Sequence, residues 1–170
     1  VMGPIRFQKE RDMRYAKVIK NLEEIRSAQL AYKSNKGVYC GDFNRLVGFI
    51  DTGRFEILER KDTSFMAYDP VYRTNLLKDS TMIRTLGFVS IKDSIFPNYD
   101  LSTLSTIPGT EKEFTMAAGK INSGGIEVPV FEARAPKEIV LEGMDRSLIK
   151  LEKDLVIGSL TEATVNGNWN

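Results

Sequence analysis

The stretch 14-RYAKVIKNLEEIRSAQLAYKSNKGVY-39 decides the fold, because it predicts one long helix with an apolar stripe. Its inward residues recur at alternating spacings of three and four, the period of a helix that packs along one face. Pro4 suits the first turn and Gly37 suits the end of such a helix. We therefore predict a helix over residues 6–35, roughly 45 Å long at 1.5 Å per residue. The stripe consists of Tyr15, Val18, Leu22, Ile25, Gln29 and Tyr32.

The two ends of this helix differ in composition. The segment 6-RFQKERDMR-14 has few apolar side chains, whereas residues 15–32 carry the stripe. A helix of this length is also longer than a small core can cover. We therefore predict that residues 1–14 project beyond the domain as a membrane-proximal start, and that residues 15–170 form a single domain.

A second, shorter helix follows in 42-DFNRLVGFIDTG-53, with Asp42 as its N-cap and Gly53 at its end. The period then changes, and 54–60 reads as a strand. The stretch 61–80 is polar and predicts an irregular loop, with a turn at Asp69-Pro70 and a short helical piece at 72–78.

Strand patterns dominate the remainder of the chain. We predict strands at 81–92, 112–121, 126–134 and 155–160, and a helical turn near 145–150. Asn122-Ser123-Gly124-Gly125 predicts a hairpin, and Pro129 predicts an edge strand or a bulge. The predicted fold class is α+β, with a long N-terminal helix and a short second helix packed on an antiparallel β-sheet.

Composition removes several classes of chemistry. The 170 residues contain no histidine, which excludes catalytic triads with histidine, histidine metal sites and histidine pH switches. Cys40 is the only cysteine, so there is no intrachain disulfide and no cysteine-rich zinc site. No apolar run reaches the ~18 residues that a membrane-spanning helix needs. The chain starts with valine at position 1. We expect that an anchoring segment precedes it in the full-length protein; the alternative is that the natural chain starts at Met2.

Basic charge is concentrated on the first helix. Residues 6–36 hold nine basic and four acidic side chains, and the rest of the chain holds fifteen and nineteen. Three interpretations are open: a solvated helix face, a segment beside anionic lipid headgroups, or a nucleic-acid surface. No helix-turn-helix or aromatic–basic motif supports the third, and we expect no nucleic-acid partner. The candidate interaction surface comprises Arg6, Lys9, Arg14, Lys17 and Trp169.

No residue set predicts catalysis, a cofactor or a metal. The carboxylates of Asp62, Asp69 and Asp79 lack the alternating spacing and the glycine turn of a calcium loop. The glycines at 124 and 125 lack the context of a phosphate-binding loop, and Ser123 has no histidine to activate it. The aromatic turn around Tyr32, Tyr39 and Phe43 predicts core that seals the end of the helix.

The first part of the chain resembles type IV pilins and pseudopilins, in which a long helix ends in a small aromatic turn before a short helix and an antiparallel sheet. This resemblance covers residues 4–50. In that family the first half of the helix spans the membrane and the second half packs on the sheet. The chain has no cleavage site, no membrane-spanning half and no paired C-terminal cysteines, so the resemblance does not imply a filament. The matching residues are Ala28, Ala31, Tyr32, Gly37, Tyr39, Phe43 and Leu46.

A longer resemblance is to a family of uncharacterised, single-span bacterial envelope proteins. It covers most of the chain and includes stretches similar to 85-TLGFVSIKDSIF-96, 117-AAGKINSGG-125 and 158-GSLTEA-163. It implies an inner-membrane anchor with the domain in the periplasm, and it carries no assigned function.

The sequence supports three functional hypotheses. The first is a non-enzymatic, membrane-anchored envelope protein with a pilin-like build that contacts other envelope proteins in a secretion- or pilus-like assembly. The second is a periplasmic glycan- or peptide-binding module that uses loops 61–80 and 93–111. The third is a cytoplasmic coiled-coil dimer built on Tyr15, Val18, Leu22 and Ile25. A helix covered by its own sheet predicts that the soluble domain is monomeric.

Overall fold

The computed structural model describes residues 3–97 and 99–169, and its helices and strands confirm the predicted α+β class. The helices are α1 (Pro4–Lys36), α2 (Phe43–Thr52), α3 (Ile91–Ile95), α4 (Lys137–Val140) and α5 (Arg146–Ile149). The strands are β1 (Arg54–Asp69), β2 (Thr74–Ser90), β3 (Thr115–Ser123), β4 (Ile126–Ala135) and β5 (Leu155–Gly158). All strand pairs are antiparallel, and they form two separate sheets, β1-β2 and β3-β4-β5.

Helix α1 has the predicted extent and the predicted inward stripe. It ends at Gly37, whose φ of 79° is left-handed and whose N–H donates to the Lys33 carbonyl at 2.7 Å. Val18, Leu22 and Ile25 are fully buried in the core of their own chain. This face is therefore the central packing surface of the domain.

The start of α1 corrects the predicted domain boundary at residue 14. Phe7 is buried at 3% exposure, and the Arg11 guanidinium contacts the Glu152 carboxylate at 2.8 Å. Arg14 donates to the backbone carbonyls of Val140 and Glu142. Residues 6–14 contain few apolar side chains because polar contacts hold this part of the helix. The C-terminal part of the chain supplies backbone carbonyls and a carboxylate for these contacts.

Helix α2 begins as the sequence predicts. The Asp42 side chain accepts from the Asn44 N–H at 2.8 Å, and Leu46 and Ile50 are fully buried. The preceding turn is fixed by buried Gln29, whose amide donates to the Cys40 carbonyl and accepts from the Cys40 N–H. The aromatic turn is therefore held by a paired polar contact as well as by packing.

The sheet β3-β4-β5 forms the other side of the core. Phe131, Ala133 and Ile157 are fully buried there, and β5 pairs only with residues 132–135 of β4. Pro129 lies in the half of β4 that has β3 as its only partner, opposite Lys120. The proline therefore occupies a locally free edge of a central strand, and the β3–β4 register has no bulge.

The stretch 61–80 differs from its prediction. It is not an irregular loop and has no helical piece at 72–78; it is the outer part of a two-stranded antiparallel ribbon formed by β1 and β2. The predicted turn at Asp69-Pro70 is present and connects the two strands. We call residues 54–90 the ribbon. No helix in the described part of the chain is both long and apolar enough to cross a bilayer.

Candidate interaction surface

The ribbon extends away from the domain core. Its sixteen residue pairs run from Arg54 opposite Ser90 to Asp69 opposite Thr74, a length of about 50 Å at 3.3 Å per residue. No residue of the ribbon is buried. The ribbon is therefore held together by its own backbone ladder, with both faces and both edges open along most of its length.

Exposed apolar side chains are concentrated on the ribbon. Of the nineteen large hydrophobic residues that are exposed in the described chain, thirteen lie between positions 57 and 89. Monomeric soluble proteins rarely leave so much apolar surface in one place, and such patches mark contact sites. The ribbon is therefore the strongest candidate for a functional surface on this protein.

The end of the ribbon is its most apolar part. We call residues 65–77 the tip. Val71 is 82% exposed and Tyr72 is 72% exposed, and the Asp69 carboxylate stabilises the turn by accepting from the Val71 N–H at 2.8 Å. Large apolar side chains at the tip are Phe65, Met66, Tyr68, Val71, Tyr72 and Leu77. This turn therefore presents aromatic and aliphatic groups at the point farthest from the domain.

The middle of the ribbon, at residues 59–64 and 78–81, is polar, whereas apolar side chains are exposed again nearer the domain. Thr81 and Ser64 donate to the carboxylates of Asp62 and Asp79, at 2.8 and 2.7 Å. Glu59 pairs with Arg84 across the strands at 2.7 Å. The carboxylates of Glu59, Asp62 and Asp79 therefore serve cross-strand contacts within the ribbon.

The ribbon is rooted at the C-terminal end of α1. The Asn35 amide donates to the Arg54 carbonyl at 3.1 Å, and the Ile91 N–H donates to the Gly53 carbonyl at 3.1 Å. Since α1 has 33 residues, its first turn lies about 50 Å along the helix from this root. The helix start and the ribbon thus belong to opposite ends of α1.

The four cations of the predicted interaction surface have different environments. Arg6, Lys9 and Lys17 are exposed on α1, as a solvated or headgroup-facing helix requires. Arg14 is occupied by intramolecular contacts, because its Nε donates to the Glu10 carboxylate and its Nη1 to two carbonyls. Arg14 therefore serves to fix the helix to the segment after α4.

The fifth residue of that surface, Trp169, is half-buried and packs against the hydrophobic core. Its ring covers Gly167, where any Cβ would meet the indole. No hydrogen bond or cation–π contact within residues 3–97 and 99–169 joins Trp169 to the four cations. The structure thus places Trp169 in a docked tail and not beside the basic helix start.

Ionisable groups in the domain show the effects of packing. Burial raises the pKa of Tyr15 to about 12, and its hydroxyl donates to the Lys153 carbonyl at 2.9 Å. Burial also raises the pKa of Glu24. The pKa of Asp145 is lowered because Ser147 donates to its carboxylate at the start of α5. Each of these shifts has a structural cause, and none belongs to a cluster of groups facing one cavity.

The described residues contain no group of three or more side chains that could hold a metal ion. A surface groove of about 600 Å³ lies between α4 and α5. Two acidic and two basic side chains line this groove, together with the apolar side chains of Met144 and Ile149. The groove is lined by Glu138, Glu142, Met144, Arg146, Ile149 and Lys150.

The coiled-coil hypothesis is wrong for a physical reason. Val18, Leu22 and Ile25 would form its seam, yet all three are fully buried within a single chain. Exposing them for a second helix would require removing the sheet that covers them. A dimer, if formed, must use another surface.

Sequence reasoning named 61–80 as a ligand-binding loop but missed the ribbon as an exposed apolar contact surface. The usable signal was the unusual content of its supposed loop, since Phe65, Met66, Tyr68 and Val71 are large and apolar. A solvated loop rarely contains so many such residues.

The chain matches no protein-family model, no curated protein and no solved structure. The resemblance to pilin-like and single-span envelope proteins therefore stays a prediction. The geometry of the ribbon and of α1 is the basis on which a role can be assigned.

Proposed function

We propose that this protein is a non-enzymatic, membrane-anchored envelope protein that uses the ribbon to contact other proteins of a secretion- or pilus-like assembly. The observation that carries the proposal is the ribbon itself: about 50 Å of exposed strand pair with thirteen exposed large apolar side chains. Nothing within residues 3–97 and 99–169 covers it.

The stability of a two-stranded ribbon favours a partner. An isolated pair of strands is marginally stable in water, because it has no third strand or helix on which to pack. Long strands with open edges are normally shortened, covered or charged in proteins that act alone. Contact with another protein would cover the apolar side chains and complete the hydrogen bonding of the edges.

Helix α1 provides the spacing in this proposal. A membrane span before residue 1 would place the basic residues Arg6, Lys9 and Lys17 beside the lipid headgroups. The ribbon, rooted near Asn35, would then leave the domain at the end of the helix away from the bilayer. Its partners would therefore be periplasmic proteins or periplasmic domains.

The anchor is tested by membrane fractionation of the full-length native protein, followed by protease treatment of spheroplasts. We expect a membrane-bound protein whose domain is degraded from the periplasmic side. A soluble, protected protein would contradict the anchor and the pilin-like build together.

The contact role of the ribbon is tested by photo-crosslinking in the native cell. A photoreactive amino acid at position 72, in the tip, is compared with one at position 8, which is also exposed but lies on α1. We expect a discrete protein adduct from position 72 and not from position 8. Adducts of equal yield from both positions, or none from position 72, would contradict the proposal.

The groove between α4 and α5 favours a second candidate, a periplasmic peptide-binding module. Glu142 and Lys150 could pair with the charges of a peptide, while Met144 and Ile149 supply apolar contact. This site is not made by the loops at 61–80 and 93–111 that the sequence suggested. Titration with short charged peptides, followed by NMR shifts at these residues and their loss in Glu142→Lys, tests it.

A further inference from the structure

The two edges of the ribbon are protected unequally. Seven of the sixteen residues of β1 are charged, whereas β2 has three among seventeen: Lys78, Asp79 and Arg84. Charged side chains, lysine above all, are how strand edges avoid pairing with other chains. The charges of β1 lie within residues 54–62 and at Asp69, so the β1 edge is protected there, and the β2 edge is the more open of the two.

The open part of β2 is regular over a defined length. Its register with β1 is continuous from Thr74 to Thr85 and is interrupted only at Leu86, the extra residue of a bulge. A strand that joins this edge can therefore form an unbroken ladder over residues 74–85. The bulge limits the ladder on the side nearest the domain.

A second copy of β2 fits this edge in one register. Two identical antiparallel strands are related by a two-fold axis, so one residue faces its own copy and the others pair symmetrically around it. With Ser80 on the axis, residues 75–85 pair along almost the whole regular stretch. Leu77 then faces Ile83, Lys78 faces Met82, and Asp79 faces Thr81, so no like charges meet.

The neighbouring registers place like charges opposite each other or shorten the ladder. An axis on Asp79 or on Lys78 places identical charges directly opposite each other. An axis on Thr81 places Lys78 opposite Arg84, and an axis on Met82 shortens the regular ladder to residues 79–85. Like charges in directly opposite positions destabilise a strand pair.

We propose that two copies of this chain associate through β2, in antiparallel register about Ser80, to form a continuous four-stranded sheet. The ladder over residues 75–85 would form about ten backbone hydrogen bonds, as many as a typical protein interface carries. Thr63, which lies opposite Ser80 within each ribbon, completes a polar centre across the four strands. Met66 and Leu77 lie beside Ile83 of the second copy on one face.

This inference rests on the proposed function, since both take the ribbon as the contact element, and it names the partner as a second copy. It departs from the monomer that the buried helix stripe alone would predict. The association uses no residue of the α1 stripe.

The register is tested by cysteine crosslinking of the purified chain. Ser80→Cys places two thiols opposite each other with Cα atoms about 5 Å apart, within the range that a disulfide bridges. Thr63→Cys is the matched control, because it occupies the same cross-strand pair but lies about 14 Å from its copy, three strand spacings away. Cys40 is buried at 3% exposure, so the unsubstituted chain reports the background.

Under mild oxidation we expect a covalent dimer from Ser80→Cys and none above background from Thr63→Cys. Equal crosslinking of both variants, or none from Ser80→Cys, would overturn the register. If the tip still captures another protein in the cell, the proposed function stands and only the identity of the partner is wrong.

A second comparison tests the association without a covalent bond. Ser80→Lys places two ammonium groups on the axis and should weaken the dimer at least about 10-fold in sedimentation equilibrium. Thr63→Lys puts the same charge in the same pair of the monomeric ribbon and should leave the dissociation constant within about 3-fold of the unsubstituted chain. A monomeric unsubstituted chain at all concentrations, or equal effects of both substitutions, would contradict the proposal.

Discussion

The ribbon and the three-stranded sheet are both antiparallel, but they are stabilised in different ways. In the sheet β3-β4-β5, Phe131, Ala133 and Ile157 are fully buried against the helices. In the ribbon, no side chain is buried, although its strands are longer. Strand length and hydrogen bonding alone therefore do not make a core. The rest of the domain, which we call the body, buries side chains against its own elements, whereas nothing in the described residues covers the ribbon.

The sharpest contrast is between a leucine in each region. Leu22→Ala removes a fully buried side chain from α1 and should lower the free energy of unfolding by about 3 kcal/mol. Leu77→Ala removes a side chain that is 67% exposed on the ribbon. This substitution should change the free energy of unfolding by less than about 0.5 kcal/mol. Urea unfolding of both variants measures the difference, and similar losses would break the comparison.

A buried polar contact belongs to the body alone. Gln29→Ala leaves the N–H and the carbonyl of Cys40 without their partner, and we expect a loss of roughly 2 kcal/mol in unfolding free energy. Gln8→Ala on the exposed side of the same helix is the control and should be nearly neutral. A neutral Gln29→Ala would mean that the aromatic turn does not need this contact.

A pH-dependent contact also distinguishes the body. Tyr15 has a folded-state pKa of about 12 because of burial, above its ordinary value of 10. Between these two values the unfolded chain loses the proton and the folded chain keeps it, so stability falls as the pH rises above 10. Tyr15→Phe should reduce this fall, which thermal unfolding of both proteins between pH 9 and 11 can measure. An equally steep fall in the variant would contradict the assignment.

The smallest expected effect comes from shortening the ribbon. Replacing residues 60–83 by Asn-Gly joins the Glu59–Arg84 pair through a two-residue turn. Because no buried side chain is lost, the melting temperature of the body should change by no more than a few degrees. A large loss of stability in calorimetry would show that the ribbon supports the core.

The sequence predicted the body well because each of its elements has one buried face. The stripe of α1, the cap at Asp42 and the turn at 122–125 are signals of that kind, and the structure has each of them. The ribbon has no such face. Apolar neighbours such as Ile57 and Leu58 point to opposite sides, so the alternation that marks a half-buried strand is missing.

The predicted boundary at residue 14 failed for a related reason. A single apolar residue, Phe7, and two arginines hold the first turns of α1 to the body. Their partners are backbone carbonyls and Glu152, more than a hundred residues away in sequence. A helical period cannot reveal contacts of this kind.

Hydrogen exchange of the full chain in dilute solution, resolved by peptide, tests most directly the claim that the body stands alone and the ribbon does not. We expect amides of residues 130–135 to be protected to near the global stability and those of 76–84 to exchange far faster. Protection of the ribbon should then rise with protein concentration as its edge is covered. Ribbon amides as well protected as those of β4 in the dilute monomer would contradict this account.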